Sequence, residues 1–311
     1  MFPTPYGFLR AELRSSTAPI HEAPAFDRFD GVPTRASRPV GLRIAVPAEE
    51  WVKRSGFYPL SQRETFEALL GQVKTAMENY RDGQPLPTVI FDLDDTLFVT
   101  APRTARILTE WLATADIDKD IHDRLAAVEV PAYSNPDTFI QAGLSLDDPR
   151  VKAAFKSFNT FWSLRFFSND YLKYDTVQAG AVAFVQEIYK LGAGIAYITG
   201  RNGTTMRAGT EAALRDAKFP LDDARVKLIL QSIPGASDTV FKSEAATQLA
   251  TTCKIVGSLD NSPGNIVMFK DLFPRAMIVF VDTVYGKGPY DLRYGLYKVR
   301  DFVVDNSGLV P

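Results

Sequence analysis

Between residues 87 and 281 the chain alternates short, mostly apolar runs with longer stretches of helical period, and few folds accommodate that order. The runs cover residues 87–91, 194–198, 226–230, 255–259 and 277–281, five residues each. The first predicts a buried parallel strand, and the others read as strands as well. Helical stretches at 179–191, 204–217, 243–251 and 263–272 separate the later runs, the first of them closed by Gly192. Strands joined through helices need right-handed crossovers, which set the strands parallel and the helices on both faces. The expectation is an α/β fold: a Rossmann-like, three-layer α/β/α core on a mostly parallel sheet. Its binding site belongs beyond the carboxyl ends of the strands.

The flanking segments read differently. Residues 101–175 hold no comparable strand, only helical stretches at 103–113, 119–128, 136–142 and 151–167 with polar breaks between them. The aromatic residues Phe155, Phe158, Phe161, Trp162, Phe166 and Phe167 fall within that insertion and read as helical core. Upstream, Ser61 and Glu64 have the spacing of a capping box. Phe66, Leu69, Leu70, Val73 and Met77 follow at spacings of three and four, predicting one apolar helix face that ends near Gly83. Prolines at 3, 5, 19, 24, 33, 39, 47 and 59 interrupt any long helix before that. An extended arm with one short strand candidate at 41–46 is expected there. The organisation read from the chain is therefore an N-terminal arm and lead-in helix (1–85), a discontinuous α/β core (86–100 and 176–285), an inserted all-helical domain (101–175) and a tail packed on the core (286–311).

Composition removes several chemistries. One cysteine, Cys253, excludes an internal disulfide and a cysteine-based zinc cluster. Two histidines, His21 and His122, leave no histidine-rich metal site. Lys plus Arg total 35 against 37 for Asp plus Glu, a net charge of −2, so no macromolecular nucleic-acid partner is expected. No run of about 20 apolar residues predicts a membrane span. No basic segment followed by an apolar stretch opens the chain, so a cytoplasmic location is the expectation. Any catalysis has to rest on carboxylates.

Three of the runs end in a reactive polar residue: Asp92, Thr199 and Asp260. Any one of them alone reads as a cap for the following helix. In a parallel sheet, however, all three ends share one edge and converge. The segment Val89-Ile90-Phe91-Asp92-Leu93-Asp94-Asp95-Thr96-Leu97 resembles the first motif of the haloacid dehalogenase-like (HAD) hydrolase superfamily, an apolar strand followed by Asp-x-Asp-x-Thr. Ala196-Tyr197-Ile198-Thr199-Gly200-Arg201 resembles its second motif, and Val256-Gly257-Ser258-Leu259-Asp260-Asn261 its fourth. Order and spacing agree over residues 86–285.

The resemblance implies roles. Asp92 would attack phosphorus and form an aspartyl-phosphate. Asp94 would protonate the leaving oxygen and then activate water, with its backbone carbonyl on the metal. Asp92 and Asp260 would be side-chain ligands to Mg²⁺, which favours hard oxygen donors. Thr199, Gly200 and Arg201 would contact the phosphate or substrate, and a lysine would balance the transferring charge. Lys242 is the choice for that lysine because it opens the helix before the Asp260 strand, whereas Lys227 and Lys254 start strands at the wrong edge. The fourth motif lacks the second acid usual four or five residues on; Gly264 and Asn265 stand there, and Asn265 would either ligate the metal through its amide oxygen or orient a metal-bound water, at the cost of one negative charge.

An acid at position 94 favours phosphoryl chemistry over dehalogenation, since halide departure needs no proton. The helical insertion resembles a C1-type cap, a lid that admits small molecules. Within it, Arg103 and Arg106 read equally as anion contacts or as a solvated helix face. The expected activity is Mg²⁺-dependent hydrolysis of a small phosphorylated metabolite. A phosphomutase using the same nucleophile and a non-catalytic binding protein on the same fold are the alternatives. The arm and the cap leave open an added role in homodimer formation.

Overall fold

The computed structural model describes residues 44–232 and 236–304. Most of the expected N-terminal arm, and any dimer contact through it, lie outside those residues. The lead-in consists of β1 (Ala45–Val46), α1 (Ala48–Arg54), β2 (Gly56–Phe57) and α2 (Gln62–Glu78). The central strand β3 (Leu86–Phe91) follows, then β4 (Phe98–Val99) and the helices α3 (Ala101–Leu112), α4 (Lys119–Ala126), α5 (Asn135–Gln141) and α6 (Pro149–Phe166). A 3-10 turn (Asn169–Tyr174) and β5 (Thr176–Val177) lead back to α7 (Ala181–Lys190), β6 (Gly194–Asn202), α8 (Arg207–Asp216) and β7 (Val226–Gln231). The chain closes with α9 (Asp238–Leu249), β8 (Cys253–Asp260), α10 (Pro263–Leu272), β9 (Met277–Val281), β10 (Tyr290–Asp291) and β11 (Tyr294–Val299).

Seven strands form one sheet in the order β2-β11-β9-β8-β3-β6-β7, parallel at every pairing. The five apolar runs become β3, β6, β7, β8 and β9, as expected. Val89 and Phe91 of β3 pack with Phe66 and Leu69 of α2 and with Val185 and Ile188 of α7. Ile90, one residue out of phase, enters the opposite layer with Trp51 of α1, Phe241 of α9 and Phe269 of α10. That period-two division of one strand between two helical layers is what makes the core three-layered. Each fully buried Phe or Leu contributes roughly 1.5–3 kcal/mol, so β3 is anchored from both sides.

Two features depart from the sequence reading. The segment taken as a tail, 286–311, contributes β11, which inserts between β2 and β9 rather than lying on the surface of the core. Gly295 and Lys298 break its apolar run, and only Leu296 and Val299 are buried, so it lacks the signature of a fully covered strand. The proline-rich lead-in also contains a helix: Pro47 stands immediately before α1, where its missing N–H costs nothing. Of the 41–46 strand candidate, Ala45–Val46 pairs antiparallel with β10, and residues 41–43 lie outside the described residues.

The start of α2 behaves as read. Ser61 N donates to Glu64 Oε2 at 2.8 Å and Glu64 N donates to Ser61 Oγ at 3.2 Å, closing the capping box. Ser61→Ala should cost about 1 kcal/mol. That lowers the thermal midpoint by roughly 2–4 °C in a chain of this size. Calorimetry checks it, and an unchanged midpoint contradicts it.

The insertion has its own apolar cluster, with Ile107, Leu108 and Trp111 of α3 packed on Ile121, Phe139 and Phe158. Its two junctions are tied together by β4 and β5, which pair antiparallel with Phe98 opposite Val177 and Val99 opposite Thr176. No helix among the described residues is long and apolar enough to cross a membrane.

Candidate functional site

The register of β3 decides which groups meet. Phe91 pairs with Leu259 of β8 on one side and Tyr197 of β6 on the other. The next residue, Asp92, therefore emerges beside Asp260 and near Thr199, and its backbone N–H donates to Leu259 O at 3.0 Å. Asp92, Thr199, Asp260 and Lys242 are all buried.

Lys242 is the hub. Its Nζ donates to Asp92 Oδ1 at 2.7 Å and to Asp260 Oδ2 at 2.9 Å, and lies 3.2 Å from Asp238 Oδ2. It reaches them because α9 starts at Asp238, five residues earlier than the sequence predicts. Ser237 caps it, its Oγ accepting from Val240 N at 3.3 Å. Lys242 thus lies one turn inside the helix instead of opening it. Asp238 stands four residues earlier on the same face, a helical spacing that pairs acid with base.

The second side of the site is a separate ionic knot. Asp94 Oδ1 accepts from Arg201 Nε at 2.9 Å, Arg201 Nη2 at 2.5 Å and Arg103 Nη2 at 3.1 Å. Asp175, just before β5, completes it: Arg103 Nε donates to its Oδ1 at 2.7 Å and Arg201 Nη2 to its Oδ2 at 2.9 Å. Arg103 also donates from Nη1 to Phe166 O at 3.1 Å. One knot therefore ties the nucleophile loop, the first and last helices of the insertion, and the end of β6. Two buried arginines balance two carboxylates within it.

The electrostatics of the two halves differ. Burial pushes the Asp92 carboxyl well above its usual range, against the pull of Lys242. Burial raises Asp260 too, again opposed by Lys242. Burial alone would lower Lys242, but Asp238, Asp260 and Asp92 together hold it well above its ordinary value. Asp94 behaves oppositely: burial raises it, yet Arg201 and Arg103 win and hold it at about 2. It stands as a carboxylate at any physiological pH.

Several expected residues take other positions. Arg201 does not line the cleft; its guanidinium is committed to Asp94 and Asp175, so it orients Asp94 instead of meeting substrate. Asn265 donates from Nδ2 to Asp238 and to both oxygens of Asp260, while its Oδ1 accepts from Thr239 Oγ1 at 2.8 Å. Its oxygen faces away from the acids, so the amide-oxygen ligand role does not fit. Arg103 is fully buried, not a solvated helix face, whereas Arg106 is exposed and pairs with Glu110. Thr199 and Gly200 both line the cleft. A Cβ at Gly200 would come within 2.6 Å of Asp238 Oδ1, so the Asp238 carboxylate would have to shift to admit one. Asp175 and Asp238 were not anticipated from sequence.

Among the described residues no three of His, Cys, Asp and Glu form a metal-holding group by themselves. The donor set at Asp92, Asp260 and the Asp94 carbonyl nonetheless suits Mg²⁺, which takes one or two carboxylates and fills the remaining positions with water and substrate phosphate. Charge points the same way: three carboxylates around one ammonium leave two negative charges uncompensated where an anion would have to bind.

The sequence matches no family model and no curated protein. The structure is similar to a HAD-superfamily hydrolase, subfamily IA, variant 1, from Geobacter sulfurreducens (11% identity, TM-score 0.43), covering 71% of this chain and 94% of that one. It is also similar to a predicted phosphoglycolate phosphatase from Haemophilus somnus (15% identity, TM-score 0.43), covering 70% and 95%. A haloacid dehalogenase-like family hydrolase from Streptococcus pneumoniae shows 10% identity and a TM-score of 0.40, covering 68% and 94%.

Proposed function

We propose that the chain is a Mg²⁺-dependent phosphomonoester hydrolase of the HAD superfamily, acting through an aspartyl-phosphate on Asp92. The observation that carries the reading is the Lys242 hub, which ties the carboxylates of the first and fourth motifs to one ammonium. In the first half-reaction an Asp92 carboxylate oxygen bonds to phosphorus, and the phosphorus–oxygen bond to the leaving alcohol breaks. Lys242 and the Thr199 hydroxyl meet the oxygens of the transferring group. In the second, water attacks that phosphorus, the bond to Asp92 breaks, and inorganic phosphate leaves.

Asp94 as held suits the second half-reaction: an ionised carboxylate takes the proton of the attacking water. Donation to the leaving oxygen in the first half requires Asp94 to carry a proton, and so requires Arg103 and Arg201 to loosen their hold. Asp175, which binds the same arginines, sets how tight that hold is.

Asp92, Asp260 and the Asp94 carbonyl would hold the metal, which when bound offsets the repulsion between nucleophile and phosphate. Release of inorganic phosphate from 4-nitrophenyl phosphate tests the reading, because a mutase would return the group to an acceptor. With EDTA in excess, phosphate release should fall to background and return on addition of Mg²⁺. Full activity in chelator contradicts the metal assignment.

A further inference from the structure

We infer that the cleft over Asp92 is shaped for a phosphomonoester whose alcohol half is a flat, uncharged aromatic group with no second anionic centre. The inference rests on the phosphatase reading and names the substrate class of the same site.

A cleft of about 750 Å³ runs from Asp92 and Lys242 outward between the strand ends and the helical insertion. That volume falls in the range that encloses a small organic ligand. Its charged lining residues are Asp92, Asp94, Asp95, Asp238 and Lys242, and its aromatic ones are Tyr133, Trp162, Phe166 and Phe167. Trp162 stacks on Phe166, centroids 4.3 Å apart and rings 24° from parallel. Phe167 sets its ring edge-on to both, at 5.5 Å and 5.2 Å. These rings continue the aromatic run of α6: Trp162 and Phe166 pack against the insertion's core and, with Phe167, also line the cleft. Phe167 is 45% exposed, and Tyr133, which lines the same cleft, is 55% exposed. Apolar rings left facing water around a polar floor mark a binding surface, and ring faces favour an offset or edge-on aromatic partner.

Charge disfavours a second anionic centre on the substrate. Among the described residues lining the cleft, Lys242 is the one cation. Of the other cations close by, Arg103 and Arg201 are buried and committed to Asp94 and Asp175, and Lys287 pairs with Asp137. A carboxylate or second phosphate on the substrate would meet Asp94, Asp95 and Asp238 with no counter-charge left for it. Polyhydroxylated groups fare little better. Asn135 Nδ2 donates to Asn159 Oδ1 at 3.0 Å, and Trp162 Nε1 donates to Thr104 Oγ1 at 3.2 Å, so these groups of the wall are engaged with one another. The phosphate end is thus held at Lys242, and the other end is met by rings.

The test compares kcat/KM of the full chain with Mg²⁺ on esters that share a primary-alcohol leaving group, so that differences report the cleft and not the bond. 2-Phenylethyl phosphate should exceed butyl phosphate and glycerol 1-phosphate by about tenfold or more, chiefly through KM. Trp162→Ala should bring that ratio down towards one. A nucleoside 5′-monophosphate arm separates a base-bearing substrate from a simple arylalkyl one; preference for either over glycerol 1-phosphate supports the class. Phosphoglycolate or fructose 1,6-bisphosphate turned over as well as the aromatic esters overturns the inference and leaves the phosphatase reading standing. No phosphate release from any ester, 4-nitrophenyl phosphate included, overturns both.

Discussion

Asp92→Asn should reduce phosphate release from 4-nitrophenyl phosphate by a factor on the order of 10⁴ or more while the protein stays folded. The loss follows from the chemistry: an amide oxygen cannot displace an alcohol from phosphorus and then be regenerated by water. The retained fold follows from the charges. Asp92 is buried within a cluster of three carboxylates and one ammonium, and burial already disfavours its ionised form. An amide of the same shape removes one of the two uncompensated charges and still meets the Thr96 hydroxyl, now 3.2 Å from Asp92 Oδ2. Lys242 keeps Asp260 and Asp238. The thermal midpoint of the variant should match or exceed that of the parent. Appreciable residual turnover would remove Asp92 from the nucleophile's role, and an unfolded variant would contradict the charge argument.

Lys242→Met should show the reverse balance, a large loss of stability together with loss of activity. The substitution preserves side-chain bulk but leaves Asp92, Asp260 and Asp238 facing one another, the first two buried, with no cation between them. Stranding buried charge by removing one partner costs about 3–5 kcal/mol. In a chain of this length that is a fall of roughly 10 °C in thermal midpoint. Adding Asp92→Asn to Lys242→Met should recover part of the loss, since the two side chains touch and their effects cannot add. A midpoint within 2 °C of the parent, or strict additivity in the double variant, would show that the hub is not what holds these acids in place.

The central features were legible because their signals are local. The apolar run before Asp92 both predicts β3 and delivers the carboxylate to the sheet edge, and the runs before Thr199 and Asp260 do the same. Lys242 was reachable because a lysine near a helix start points back toward the edge where the strands end. The knot around Asp94 was not, since its members are far apart in the chain and come together only through tertiary packing. Arg103 sits at a helical spacing typical of a solvated face, and Asp175 lies in a connecting segment with no pattern at all; both become visible once β4 and β5 draw the ends of the insertion together. Asn265 illustrates a subtler limit: an amide offers donor and acceptor alike, and only the placement of Thr239 opposite its oxygen decides that the nitrogen faces the acids. β11 lacks a buried-strand signature because only Leu296 and Val299 are buried, while Tyr297 meets Tyr58 and Lys298 meets Phe57 and Asp282 from half-buried positions.

The most direct test is reductive trapping during turnover. The enzyme is mixed with 4-nitrophenyl phosphate and Mg²⁺ and quenched with borohydride, which converts an aspartyl-phosphate to homoserine, and the digest is mapped by mass spectrometry. Homoserine at position 92, absent without substrate and absent in Asp92→Asn, is the result expected. Sustained phosphate release with Asp92 unmodified, or with the modification on another carboxylate, would contradict it.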